Sequence, residues 1–299
     1  MRLLFCSDPL TPNQPDFAWQ SEVDAAKDAE FNYSLIDFEA LLDGNLLRAV
    51  RRVPPAEVSG TAMLRSWMLR PEIYGQLFQA LQERNIVLIN SPQAYNCCHY
   101  LPNSYTYISE FTPATVWMPL ANGLDMDAVM ALIVPFGEKP LILKDYVKSA
   151  KHAWHEACYI PSALDRTAVE RVVRRFLSIQ GNELNVGLVF REFVTLKTGE
   201  KTAHPVEFRL FFLDQELLTI SDYWGGDNSI PDESVLEPFL AIAKTIPSHF
   251  FSLDIAQCAD GSWMIIELGD GQVSGLPDSL APDNFYQKLV ERVGLATRK

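Results

Sequence analysis

FFSLDIAQCADGSWMIIELGDGQVSGLP, residues 250–277, reads as two apolar strands joined by a tight turn at Asp260 and Gly261 and followed by a Gly-rich tail. Asp-Gly between two β-favouring runs signals a hairpin, because a two-residue turn needs positive φ, which Gly supplies without steric cost. Such a turn sets an expected register. Ala259 faces Ser262, and counting outward puts Asp254 directly opposite Glu267. Paired side chains have Cβ atoms roughly 4.5–5.5 Å apart, and like charges at that distance repel. A positive charge is therefore expected beside them. Both flanks are apolar on both faces (Phe251, Leu253, Ile255; Met264, Ile265, Ile266, Leu268), so the acids are not expected on a solvent-washed surface. Mg²⁺ is held by one or two carboxylates plus substrate phosphates, which two facing acids would suit. The alternative is a hairpin whose acids point into solvent or meet a lysine.

The chain around the hairpin has 299 residues, enough for about two domains or one large α/β domain, and its 48% hydrophobic content supports a proper core. No apolar run approaches the roughly 18 residues of a membrane span, and the opening MRLLFCSDPLTPNQ is too short in apolar residues for a signal peptide. The expected location is the cytoplasm. Five cysteines (Cys6, Cys97, Cys98, Cys158, Cys258) with no Cys-x-x-Cys read as thiols rather than a disulfide frame or zinc site. A net charge of −13 argues against binding long nucleic acid through its phosphates. A nucleotide remains possible where lysines and arginines gather at one site and a divalent ion assists.

In chain order, Arg2 to Cys6 and Tyr33 to Ile36 read as strands around a helical stretch, Trp19 to Ala29. Arg48 to Val53 and Thr61 to Leu69 read as further strands, the second carrying Arg65 among apolar residues, and a helix after Pro71 leads to the buried-type strand Ile86 to Asn90. This alternation predicts a parallel α/β unit. Asn90 to Pro119 is polar and aromatic without a long period and reads as a connecting segment with one short helix; its His99 reads as a structural histidine. Leu141 to Leu143 is a strand delivering Lys144, with Lys148, Ser149 and Lys151 in the loop that follows. Such a cluster of donors suits phosphate oxygens, or it is a solvated surface turn. His152, His155 and Cys158 drift round a helix and have no fourth ligand, so they are not read as a metal site. After the amphipathic helix Thr167 to Ile179, ended by Gly181 and Asn182, three β-rich runs carry Arg191, Glu192, Glu207 and Arg209 among apolar neighbours. Buried charges must be paired or serve a ligand, so these four are either two Arg/Glu pairs or part of a site.

This order of parts, ending in IIELGDGQVSGLP (Ile265 to Pro277), resembles the ATP-grasp superfamily, in particular its small single-chain bacterial and phage members. The resemblance covers most of the chain and is weakest before residue 60. It implies an α/β (α+β) fold: an N-terminal α/β pre-ATP-grasp domain over residues 1–110, a small ATP-grasp subdomain with the phosphate loop over 111–190, and a C-terminal subdomain with the metal hairpin over 191–299. It also implies ATP and Mg²⁺ as cofactors. Lys144 would contact ATP, with Lys148 and Ser149 in the loop over its phosphates, Glu192, Phe193 and Val194 at the adenine hinge, and Arg191 also binding the cofactor. Arg209 would stabilise the transferred phosphoryl group, and Arg209, Arg65 or Arg191 would clamp the acceptor carboxylate. Asp254 and Glu267 would hold Mg²⁺. The family's metal motif ends Glu-x-Asn, whereas Gly269 stands at the Asn position here, which makes Asp270 the candidate third ligand. The phosphate loop also departs from the pattern, with no Gly between Lys144 and Ile160, and no counterpart of a further family lysine stands near His99 to Asn103.

The implied activity is ATP-dependent amide formation from a carboxylate and an amine, small molecules or peptide, through an acylphosphate. Two other classes fit the residues: a nucleotide-binding protein without ligase activity, and an acidic protein-interaction module.

Overall fold

The computed structural model describes residues 1–296 apart from 122, 201 and 227. The chain forms two compact units, one of residues 1–98, 198–255 and 267 onward, the other of residues 99–197 and 256–266.

In the first unit, β1 (Arg2–Cys6), β2 (Asn32–Ile36), β3 (Gly60–Arg65) and β4 (Ile86–Leu88) make a parallel sheet in the order β2-β1-β3-β4. Parallel sheets are covered on both faces, and β1 shows it. Leu3 and Phe5 join a core with Val23 of α1 (Gln20–Asp28), while Leu4 between them packs with Leu41, Tyr74 and Leu77 of α2 (Phe38–Leu42) and α4 (Pro71–Gln82). The expected strand Arg48 to Val53 is instead the short helix α3 (Leu46–Ala49), opened by the Asn45 side chain, which accepts from the Arg48 N–H at 3.1 Å. A short apolar run does not distinguish strand from helix; the preceding cap does. The segment after Asn90 is likewise more ordered than expected, with α5 (Pro92–His99), α6 (Leu101–Ile108) and β5 (Thr115–Pro119). Ser91 caps α5 by accepting from Ala94 N–H at 3.1 Å, and Pro92 occupies a first-turn position that needs no N–H.

The second unit is built on an antiparallel sheet, β5-β8-β6-β7, with β6 (Leu141–Lys144), β7 (Tyr159–Ile160) and β8 (Gly187–Glu192). Its core joins Val129 and Ile133 of α7 (Met126–Ile133) to Val169, Val172, Val173 and Phe176 of α8 (Arg166–Gln180). α8 starts where Asp165 accepts from Ala168 N–H and stops at Gly181, whose φ of 49° suits a residue without Cβ. Gly187 has a different reason: a Cβ there would lie 2.1 Å from the Met118 carbonyl oxygen.

Four more strands form the other antiparallel sheet, β10-β9-β11-β12, from β9 (Glu207–Leu213), β10 (Glu216–Asp222), β11 (Phe250–Gln257) and β12 (Trp263–Asp270). The chain also contains α9 (Glu233–Ala243) and α10 (Pro282–Ala296). The β11–β12 turn differs from the expected two-residue loop. Gly261 N–H bonds to Cys258 C=O at 2.9 Å and Cys258 N–H to Ser262 C=O at 2.8 Å, a three-residue loop with Gly261 at φ 91°. Asp260 favours it by accepting from both the N–H and the hydroxyl of Ser262. Beyond β12, Gly271 N–H bonds to Phe250 C=O at 3.1 Å. Counted between these two bonds, the β12 side holds one residue more than the β11 side, which is a bulge. No helix among the described residues is long and apolar enough to cross a membrane.

Candidate active site

Arg209 on β9 and Asp254 on β11 form a two-point ion pair, with Nε and Nη2 donating to the two carboxylate oxygens at 2.7 Å each. The pair is nearly sealed, its side chains 11% and 4% exposed. Nη1 donates to the Gly275 carbonyl at 2.8 Å, and the guanidinium carbon lies 4.7 Å from the centre of the Tyr223 ring. Burial alone would lower the Arg209 pKa; the Asp254 carboxylate outweighs it, helped by Tyr223 and Glu267, so the net shift is upward. The positive charge beside Asp254 is Arg209, with Glu267 acting on it only through its field; Glu267 itself is exposed, whereas the sequence placed both acids away from solvent. Burial also pushes the Tyr223 phenol up, against the opposing effect of Arg209.

Among the described residues, the ion pairs and hydrogen bonds given for Glu207, Arg209, Arg191 and Glu192 run to other partners. Glu207 accepts from Trp224 Nε1 at 2.8 Å, and Glu192 pairs with Lys139 at 2.9 Å. Arg191 donates to the carbonyls of Ile265 and Ile266 and to the Thr112 hydroxyl, so it ties the hairpin backbone to β8. Arg65, fully buried, holds Glu22 at 2.8 and 2.9 Å and donates to the carbonyls of Gly271 and Ser274; Tyr286 donates to the same Glu22. Arg65 and Arg191 therefore serve the protein's own backbone and carboxylates, not the free clamp expected of them.

Asp270 is 1% exposed, with one oxygen accepting from Asn90 at 2.6 Å and the other from the Gln272 N–H at 2.9 Å. Burial raises its pKa to about 6 against those hydrogen bonds. Where the family has Asn, a Cβ on Gly269 would meet the hydroxyls of Ser274 at 3.0 Å and Ser252 at 3.2 Å, which are bonded to each other at 2.8 Å. Among the described residues no three His, Cys, Asp or Glu side chains form a metal-holding group. Asp254 and Glu267 offer hard oxygen donors of the kind Mg²⁺ takes together with phosphates, and an Arg-bound carboxylate keeps lone pairs for a metal.

In the second unit, Lys144 ends β6 and its backbone pairs again with Ser149. The reversal between them is held by Asp145, a fully buried residue with no motif to announce it. Its Oδ1 accepts from the N–H groups of Val147 and Lys148, and its Oδ2 from Asn185 N–H and Nδ2 at 3.0 and 2.7 Å. This side-chain-bonded turn replaces the glycines of the usual loop. His99 lies within the field of both lysines. Burial first, then Lys148 and Lys144, lower its pKa to about 4, so it is neutral at pH 7. After β8, the N–H groups of Glu192 and Phe193 bond to Ala114 and Pro140 carbonyls, while Val194 N–H has no partner among the described residues. Beside it Trp154, Tyr159 and Phe193 form an aromatic group with ring centres 5.3–5.9 Å apart, which the sequence reading missed. Trp154 belongs to one turn of π-helix, Trp154–Cys158, a rare geometry often found at functional sites.

The fold is that of the ATP-grasp ligases. The chain belongs to the ATP-grasp domain family, R2K clade family 3, whose model matches residues 135–289. No curated protein matches its sequence. Solved structures share the fold at low identity. The ATP-grasp ligase PsnB, complexed with a minimal precursor, Mg and ADP, is 12% identical with a TM-score of 0.59 over 98% of each chain. A RimK domain ATP-grasp protein from Sphaerobacter thermophilus is 11% identical, TM-score 0.60, over 97% of this chain and 100% of its own. The VanG D-Ala:D-Ser ligase from Enterococcus faecalis is 12% identical, TM-score 0.61, over 98% of each.

Proposed function

We propose that this ATP-grasp enzyme is an ATP- and Mg²⁺-dependent carboxylate–amine ligase. Its reaction transfers the γ-phosphoryl group to a carboxylate and releases phosphate when an amine attacks the acylphosphate. The carrying observation is the buried Arg209–Asp254 pair, with Glu267 in its field, inside the stretch that matches the family. Phosphoryl transfer depends on positioning and on neutralising anionic oxygens, which cations supply without a protein nucleophile. Asp254 and Glu267 are the residues that would hold Mg²⁺, whose chemistry is to offset charge on the phosphates. Asp270 drops out of the metal set in this reading, because burial pushes its carboxyl up to about 6, away from the charged form a cation takes. Lys144, Lys148 and Ser149, with neutral His99 nearby, bind the phosphates; Val194 N–H and the aromatic group beside it bind the adenine. The division at residues 1–110, 111–190 and 191–299 belongs to the same reading. The substrates are a carboxylate and an amine, small molecules or peptide.

Thermal unfolding with and without MgATP, on the wild type and on Glu267→Gln, tests the reading. A ligand at about 100 times its dissociation constant stabilises by roughly 2.7 kcal/mol. The wild type is expected to gain a magnesium-dependent rise in Tm that the variant loses, and ADP release is then expected with an acceptor acid and amine. Absence of a rise in the wild type at millimolar nucleotide would sink the nucleotide site; a variant that still turned over ATP would remove Glu267 from the metal.

A further inference from the structure

The Arg209–Asp254 pair is more occupied than a free phosphoryl clamp would be. Three of the five guanidinium N–H groups are committed to Asp254 and Gly275, and one of its two-point edges, Nε with Nη2, faces Asp254. An anionic oxygen arriving beside Arg209 needs further donors. The hairpin formed by β9 and β10 supplies two hydroxyls on that side. Ser221 stands directly opposite Arg209 in the ladder, and directly paired residues point to the same face. Its hydroxyl is buried with no hydrogen-bond partner among the described residues. Tyr223 lies two residues further along, its N–H bonded to Glu207 C=O at 2.8 Å and its ring under the Arg209 guanidinium. Its phenol also has no partner among the described residues.

The neighbouring chain is not loose. Asp222, between the two, accepts from Trp224 N–H at 3.0 Å and from Asn228 N–H and Nδ2 at 3.0 and 2.9 Å, and Trp224 Nε1 is fixed to Glu207. The backbone is therefore tied while both hydroxyls stay unbonded. The Ser221 hydroxyl is a buried polar atom without a partner among the described residues, which is uncommon and calls for a reason such as a ligand, while Tyr223 is half-buried beside it.

We infer that Ser221 and Tyr223 form a hydroxyl pair that, beside Arg209, donates hydrogen bonds to an anionic oxygen of the phosphoryl group in transfer. The inference rests on the ligase reading and adds two contacts to it. No bond is made to either side chain; each O–H donates and keeps its proton.

The test uses MgADP alone and MgADP with fluoroaluminate, a planar mimic of the phosphoryl group in flight, on the full chain. Tm and ADP affinity are measured for wild type, Tyr223→Phe, Ser221→Ala, Ser221→Thr and the Phe/Ala double variant. Tyr223→Phe keeps the ring under Arg209, and Ser221→Thr keeps a hydroxyl. The expected result is an unchanged MgADP effect in all five, which also shows that they fold. The added fluoroaluminate effect should weaken roughly tenfold or more for each hydroxyl removed and be retained by Ser221→Thr. A double variant with the full fluoroaluminate effect overturns the hydroxyl pair, as does a wild type that responds to MgADP but not to fluoroaluminate. A wild type that ignores MgADP overturns the nucleotide reading itself.

Discussion

Arg209 carries five N–H donors in a fixed plane, and the protein interior engages three of them. A lysine has the charge but not the fork, so Arg209→Lys cannot hold both Asp254 oxygens and Gly275 at once. Leaving a buried carboxylate without a good partner costs about 3–5 kcal/mol when the partner is removed outright. Arg209→Ala should therefore lose stability on that scale in urea unfolding. Arg209→Lys should lose less stability but about 100-fold or more in ADP release, since its one ammonium cannot both hold Asp254 and face the phosphoryl group. Equal ADP release by Arg209→Lys and wild type would show that the guanidinium does not act in the reaction. That Arg209 needs a partner or a ligand was legible in the sequence, because it is a charge among apolar strand residues. That its fork faces Asp254 was not, because the pairing joins residues 45 positions apart and no local pattern encodes such a distance.

At the scale of elements, Asp145 shows what local pattern hides. The sequence shows a strand ending in Lys144 and a loop without glycine; the turn is closed instead by one carboxylate that serves two N–H groups of the loop and two donors of Asn185. Asp145→Ala leaves those donors without their acceptor, at about 1–3 kcal/mol for a buried unsatisfied group. A loss of roughly 2–4 kcal/mol in urea unfolding is expected, together with a smaller MgATP shift, because Lys144, Lys148 and Ser149 are set by the same turn. Unchanged nucleotide binding in a folded Asp145→Ala protein would detach that turn from the phosphates. The long regular elements were legible: α8 by its apolar spacing, β9 and β10 by β-favouring runs. The helices α5 and α6 were not, because His99, Tyr100 and their neighbours mix polar and aromatic residues without the apolar period that marks a helix. The hairpin was recognised from Asp260-Gly261, but its loop is longer by one residue because Asp260 bonds forward to Ser262.

Across the whole molecule, two buried titrating groups oppose each other in mildly acid solution. His99 has a folded pKa near 4 against an ordinary 6.5, so burying it neutral gives stability that is complete above pH 6.5 and is lost as the pH falls toward 4. Asp270 has a folded pKa near 6 against an ordinary 3.8, so its contribution runs the other way, largest below 3.8 and lost as the pH rises to 6. Each accounts for about 3 kcal/mol of pH dependence, and over pH 4 to 6 the two largely cancel. Removing either should expose the other. In urea unfolding at pH 4, 5, 6 and 7, His99→Gln should make stability rise less with pH than in the wild type, and Asp270→Asn should make it rise more. The comparison is of slopes, because Asp270→Asn also places an amide where Asn90 donates and lowers stability at every pH. An Asp270→Asn slope equal to that of the wild type would mean that Asp270 is ionised in the folded chain throughout this range. It would then be available to a cation after all, and the two-acid metal set of Asp254 and Glu267 would have to be reopened.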